Sequence, residues 1–152
     1  MRTKILLTLA VGIGLSLASS LSLRATTKVG ELRCEFLKNP SGIDVTEPRL
    51  SWILESKQRG DRQTAYQVLV ATTPEKLKPG AADLWDSGKV ASDQSIHVCY
   101  AGQPLPSRQP CFWKIRVWDQ HSRASAWSAL ATWSMGLLHP DDWQGHWIGK
   151  DE

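Results

Sequence analysis

No apolar run in these 152 residues reaches the roughly 20 that span a bilayer; the stretch from Ile5 to Leu17 stops short of it. The three cysteines, Cys34, Cys99 and Cys111, are an odd number and show no CxxC spacing. His97, His121, His139 and His146 form no ligand pattern with them, so a structural metal is not expected and no cofactor is called for. Basic residues do not cluster on any stretch, which removes the footprint of a nucleic-acid binder. Ser51, Ser87 and Ser128 sit in no GxSxG context, and no histidine is placed as their base. Heptads and helical stripes are also missing, which excludes a coiled coil or a helix bundle.

What is present begins with a leader. A short basic start, Met1-Arg2-Thr3-Lys4, precedes the apolar run, and small residues follow at Ala18-Ser19-Ser20, the order of a Sec signal peptide. Residues 1–25 are therefore expected to be removed on export, with cleavage near residue 20 or residue 25 and no membrane anchor afterwards. Cleavage near residue 20 removes Arg2 and Lys4 and lowers the formal charge of +3 by two, so the mature chain is close to neutral. About 130 residues remain, enough for one domain with its own core.

Through that domain, short alternating segments are broken by Gly, Pro, Asp or Asn, the pattern of an all-β chain. Leu32, Cys34 and Phe36 share one parity; so do Leu50, Trp52 and Leu54, then Tyr66, Val68 and Val70. "LWDSGKV" reads as a short strand, and Ile96, Val98 and Tyr100 as another. In "CFWKIRVWD", residues 111–119, Trp113, Ile115 and Val117 point one way, and Phe112, Lys114, Arg116 and Trp118 the other. Trp113 is assigned to the core, whereas Trp118 stays open between core and surface. The Lys114 and Arg116 stems are expected to lie over Phe112 and Trp118 with their heads in water. A last strand, "WSALATWSMG", keeps Trp127, Ala129, Ala131, Trp133 and Met135 in phase. The total is an immunoglobulin- or fibronectin type III-like β-sandwich of about seven antiparallel strands over residues 29–137. Residues 138–152 read as a linker and the truncated start of a following β-sandwich domain, because a strand without partners leaves its backbone groups unpaired.

In chain order, "LRCEFLKNPSGIDVTEPRLSWIL", "AYQVLVAT", "LWDSGKV", "YAGQPL", "FWKIRVWD", "WSMGLL" and "DWQGHWIG" resemble the N-terminus of bacterial α-L-rhamnosidases of glycoside hydrolase family 78. The resemblance covers roughly residues 30–149. It implies a secreted multidomain enzyme that removes terminal α-L-rhamnose by inversion. Its N-terminal module is a fibronectin type III-like sandwich, and its catalytic acid and base lie on a distant (α/α)6 barrel. Inversion requires two carboxyls about 6.5–9.5 Å apart, and no position here matches them. The downstream domains of the same polypeptide are the implied partners, with rhamnose-containing glycans as further candidates. Two departures stand out. Cys111 occupies the place of a tyrosine-corner tyrosine six residues after Leu105, and the turn after Trp118-Asp119 lacks a glycine, leaving Ser122 to take any left-handed conformation.

The chain's own candidates are few. Asp141-Asp142 is the nearest approach to paired carboxylates, but adjacent residues diverge, and a turn before Trp143 is the plainer reading. Eight tryptophans are the one compositional excess. Trp52, Trp113 and Trp133 fall on inward parities, leaving Trp85, Trp118, Trp127, Trp143 and Trp147 as interface or sugar-stacking residues. Two functions follow: a non-catalytic accessory module of an exported α-L-rhamnosidase, or a free-standing carbohydrate-binding or adhesion module. A disulfide between Cys99 and Cys111 is left open.

Overall fold

A computed structural model describes residues 27–145 and residue 149; the expected signal segment, residues 1–25, lies outside the described residues. Seven strands follow in order: β1 Lys28–Cys34, β2 Arg49–Glu55, β3 Gln63–Ala71, β4 Trp85–Asp86, β5 Val98–Cys99, β6 Pro110–Asp119 and β7 Ala131–Ser134. Helix among the described residues is limited to two 3-10 turns, Pro74–Lys76 and Pro140–Asp142. One antiparallel sheet has the order β1-β2-β5 and the other β4-β3-β6-β7. This is the all-β, immunoglobulin-like sandwich that the alternation implied.

β6 organises the core. Its inward residues Trp113, Ile115 and Val117 are buried and lie in register with Val70, Val68 and Tyr66 of β3. Two long strands paired over this length place their apolar faces side by side, and Leu50 and Trp52 of β2 close over them from the other sheet. Trp52 meets Tyr66 edge to face at 5.3 Å and donates its indole N–H to Gln63 Oε1 at 3.0 Å. Gln63 in turn donates to the carbonyls of Ser92 and Gln94, so the buried amide is satisfied. A second aromatic chain runs Trp85–Tyr100–Trp133–Trp113, with centroid separations of 5.4, 6.1 and 6.4 Å.

Cys111 is fully buried, and a different tyrosine makes a hydroxyl-to-backbone tie: Tyr100 Oη lies 2.7 Å from the Gln103 carbonyl and 3.2 Å from that of Leu84. Gly102 is packed against this tie. A Cβ there would stand 2.6 Å from Trp85 Cβ and still closer to the Leu84 carbonyl, so the tight approach requires glycine.

Strict alternation fails in three of the expected strands. After Cys34 the chain reverses, with Cys34 and Leu37 exchanging backbone hydrogen bonds of 2.9 Å and Glu35 and Phe36 at φ 47° and 65°. Two positive-φ residues between paired strand ends are the mark of a type I′ turn, usually written Asn-Gly. Glu-Phe carries no such signal, and Phe36 ends 54% exposed instead of inward. Glu35 is held there by Arg49, 2.7 Å away, whose guanidinium lies 5.0 Å from the Phe36 ring centroid. Ile96 is likewise 62% exposed, because His97 at φ 54° turns the chain before Val98 and Tyr100 enter the core.

The third failure is the last strand, of which only Ala131–Ser134 forms. Ahead of it, Ser125 and Ser128 each donate a backbone N–H at 2.8 Å to Val117 and Ile115. Their hydroxyls accept the N–H groups of those same two residues at 3.1 Å. Three residues here stand against two on β6, so the side-chain period breaks and Trp127 turns outward while Trp133 stays inward.

The β6 turn confirms the expected strain. Ser122 donates to the Asp119 carbonyl at 3.0 Å and adopts φ 58°. A left-handed L-residue costs about 1–2 kcal/mol, offset in glycine by its greater chain entropy. Ser122→Gly should therefore stabilise the domain by about 0.5–1 kcal/mol. A rise in the urea midpoint at unchanged slope is the expected reading, and a fall would sink the assignment.

Candidate interaction site

The outward face of the four-stranded sheet is not bare. Leu69 and Ala71 of β3 pack beneath Leu77 with Ala82, Phe112 and Trp127, a small second core beneath the 72–84 connection. Beside it, cations and indoles interleave. Lys114 Nζ lies 5.0 Å from the Trp127 ring, and the Arg116 guanidinium sits 4.7 Å from Trp127 and 4.8 Å from Trp118. Lys89 Nζ is 4.8 Å from Trp118. The Arg116 head is thus laid between two indoles rather than simply in water. Each such contact contributes about 0.5–2 kcal/mol according to its desolvation.

Arg116 is fixed further by its Nε and Nη2, which donate to Gln67 Oε1 at 3.1 and 2.8 Å. The Gln67 amide donates to Asp86 Oδ1 at 2.7 Å, and Asp86 also accepts the N–H groups of Gly80 and Gly88. Burial pushes the Asp86 carboxyl up, but these hydrogen bonds and the Arg116 charge outweigh it and hold the group below its ordinary range. Burial and then the neighbouring Lys78 charge push the Lys114 ammonium down.

The five tryptophans singled out from the sequence do not share one site. Trp85, on β4, is half-buried against Tyr100. Trp118 is 9% exposed, and Trp127 is half-buried. Trp143 is 60% exposed just after the Pro140–Asp142 turn. Trp147 lies outside the described residues. Only Trp118 and Trp127 come together, through Arg116. Lys89, Gln67 and Asp86 complete their surroundings and carried no sequence signal, since they are joined to β6 by strand pairing and loop return rather than by proximity in the chain.

Two further surfaces flank this face. A groove of about 850 Å³ opens beside Trp127, lined also by Lys28, Glu55, Lys57, Gln58 and Ser128. At the far end, Asp142 anchors the segment that leaves β7. Its carboxylate accepts the Ser107 hydroxyl and the N–H groups of Leu138 and His139 at 3.1 and 2.9 Å. Arg108 Nη2 donates to the Asp142 carbonyl at 2.7 Å. Asp142 thus acts as a cap for its own turn, gathering three donors on Oδ2, while Asp141 is exposed beside it. The two do not converge on a site.

Among the described residues no group of three or more His, Cys, Asp or Glu side chains is placed to hold a metal ion. All three cysteines are free thiols; Cys99 is exposed, and burial pushes Cys34 and Cys111 up to about 12. No described helix is long and apolar enough to cross a membrane.

A three-plus-four sandwich whose polar residues cap turns and brace indoles is an immunoglobulin-type module. Residues 29–139 match the model of the Rha78A-like, N-terminal immunoglobulin domain, and the chain belongs to that family. It is 47% identical over 114 residues to an α-L-rhamnosidase of Streptomyces avermitilis, a match covering 75% of this chain and 11% of that protein. An α-L-rhamnosidase of Formosa agariphila is 44% identical over 115 residues, covering 76% of this chain and 12% of its own length. The crystal structure of the S. avermitilis α-L-rhamnosidase complexed with L-rhamnose superposes with a TM-score of 0.77 at 44% identity, over 82% of this chain and 12% of that one. The chain therefore spans about an eighth or less of the relatives it matches.

Proposed function

We propose that this chain is the N-terminal, non-catalytic accessory module of an exported α-L-rhamnosidase, an enzyme that hydrolyses terminal α-L-rhamnose from glycosides by inversion. The observation that carries the reading is the small share of each relative that the module occupies, 11–12% of the rhamnosidases it matches. Among the described residues, the groove beside Trp127 is lined by one carboxylate, Glu55, and Asp142 is spent on its own turn. In this reading residues 1–25 are a cleaved Sec signal and residues 138–152 lead into the next domain. The exposed Trp143, presented by the Asp142 cap, contacts that domain.

The chain from residue 26 onward should give no hydrolysis of an aryl α-L-rhamnoside above buffer, since the described residues offer general acid–base chemistry no pair to act through. Release of the aryl group that disappears in Asp141→Asn/Asp142→Asn would overturn the non-catalytic assignment.

A further inference from the structure

We propose that the groove beside Trp127 is the seat of the chain's own residues 21–26, which stay on the protein after its leader is cut following Ser20. The chain's entry into the fold points there. Lys28 pairs with Glu55 at the start of β1, so one residue further back Thr27 comes opposite Ser56. The two hydroxyls meet on one acceptor, donating to Asp61 Oδ2 at 3.0 and 2.6 Å. Thr27 is 3% exposed and lines the groove. Also lining it are Lys57 and Gln58, which follow β2, and Ala126, Trp127 and Ala129, which precede β7. A chain traced back from Thr27 along the line of β1 therefore enters the groove.

The segment carries the pattern that such a seat requires. Leu21, Leu23 and Ala25 share the parity of Thr27, which is buried, and of Val29, which packs against the core. Ser22, Arg24 and Thr26 share the parity of Lys28, which is exposed. Side chains alternate along a strand, so continuing β1 backwards lays the three apolar residues inward and keeps the polar ones in water. On the groove side Ala126 and Ala129 are exposed and Trp127 is half-buried, and covering them with leucine removes apolar surface from water on both partners. The segment is tethered at Thr27, which gives it an effective concentration on the order of millimolar at the groove. Any separate ligand has to displace it.

The same residues decide between the two cleavage positions. Signal peptidase reads small residues one and three places before the cut. A cut after Ser20 sets Ser20 and Ala18 in those places, whereas a cut after Ala25 sets Leu23 in one of them. The leader is thereby narrowed to residues 1–20. This seating rests on the cleaved-leader reading and does not depend on the rhamnosidase one.

The test starts from the chain exported with its own leader from a Sec-competent bacterium. Intact mass should show a product beginning at Leu21, and sedimentation should show a monomer. Trypsin then reports the seat at the Arg24–Ala25 bond, because cutting there follows the population in which the segment has lifted out. Leu21→Ser/Leu23→Ser, on the inward parity, should speed that cut at least about tenfold relative to the same bond in the unfolded chain. Ser22→Ala/Thr26→Ala, on the outward parity, should change it little. Hydrogen exchange gives a reading without substitution: amides of residues 126–130 should exchange at least about tenfold faster in the chain from residue 26 onward than in the chain from Leu21. Circular dichroism verifies that each protein is folded. An unprocessed product overturns the leader reading and the proposal with it, and a product beginning at Thr26 overturns the proposal alone. Given a start at Leu21, unchanged cutting in Leu21→Ser/Leu23→Ser or unchanged exchange at residues 126–130 shows that the segment does not lie in the groove. A dimer overturns seating in the chain's own groove, since the segment then reaches a second copy.

Discussion

Trp113→Ala should lower the stability of the domain by about 3–5 kcal/mol, the usual range for removing a large aromatic from a packed interior. Trp113 is 1% exposed, sits opposite Val70 on β3 and Ala131 on β7, and ends the aromatic chain that begins at Trp85. These neighbours belong to the two strands that flank β6 and cannot collapse into the gap together. Against a total of about 5–15 kcal/mol, such a loss brings the module near its folding limit. Trp118→Ala, on the opposite face of the same strand, removes an indole that is 9% exposed but covered by the Lys89 and Arg116 side chains instead of a packed interior, and should cost less, about 2 kcal/mol. Denaturant melts of the two variants decide the matter. Equal losses would mean that both faces of β6 are core in the same sense.

The second large effect lies at the end of the same strand. The Asp119 side chain is fully buried and accepts the N–H groups of His121 and Arg123 at 2.8 and 2.9 Å, as well as Arg123 Nε at 2.7 Å. Asp119→Ala leaves the Arg123 charge and two turn N–H groups without their acceptor and should cost about 3–5 kcal/mol. Burial pushes the Asp119 carboxyl up, but the hydrogen bonds from Arg123 and His121 and the Arg123 charge outweigh it, so its net displacement is downward.

A carboxyl whose folded pKa lies below its unfolded value, about 3.9 for aspartate, contributes stability that is present above that value. The contribution is lost as pH falls through the folded pKa. Asp83 behaves the same way: burial raises it, yet hydrogen bonds from Lys76 and Thr72 bring it to about 2. The melting temperature should therefore decline between about pH 4 and pH 2. Asp119→Ala should flatten the decline while lowering the whole curve. A wild-type curve that stays level through that window would show that these carboxylates do not act as described.

Much of this was legible in the residues. The alternation of Trp113, Ile115 and Val117 against Tyr66, Val68 and Val70 is a period-two pattern over long strands. Burial on one face enforces that period, and the structure keeps it residue for residue. The strained Ser122 was visible as a departure from the resembled family, whose turn at this place carries a glycine. The membership itself was readable as a resemblance, carried by seven motifs in order.

Other features were decided only when the chain closed on itself. Phe36 and Ile96 leave the core because Glu35, Phe36 and His97 take positive φ, a choice stabilised at Glu35 by Arg49, fourteen residues away. Trp127 turns outward because two serine hydroxyls take the place of their own segment's carbonyls in accepting N–H groups of β6, and no propensity encodes that count of three residues against two. The cationic face is assembled from β6, the Lys89 return after β4, the Trp127 segment and, through Gln67, from β3. Side-chain period along a strand is dictated by the local backbone and can be read residue by residue. Which strands meet, and which cations they lay over which indoles, depends on sheet pairing between residues far apart in sequence, and that is settled only by packing.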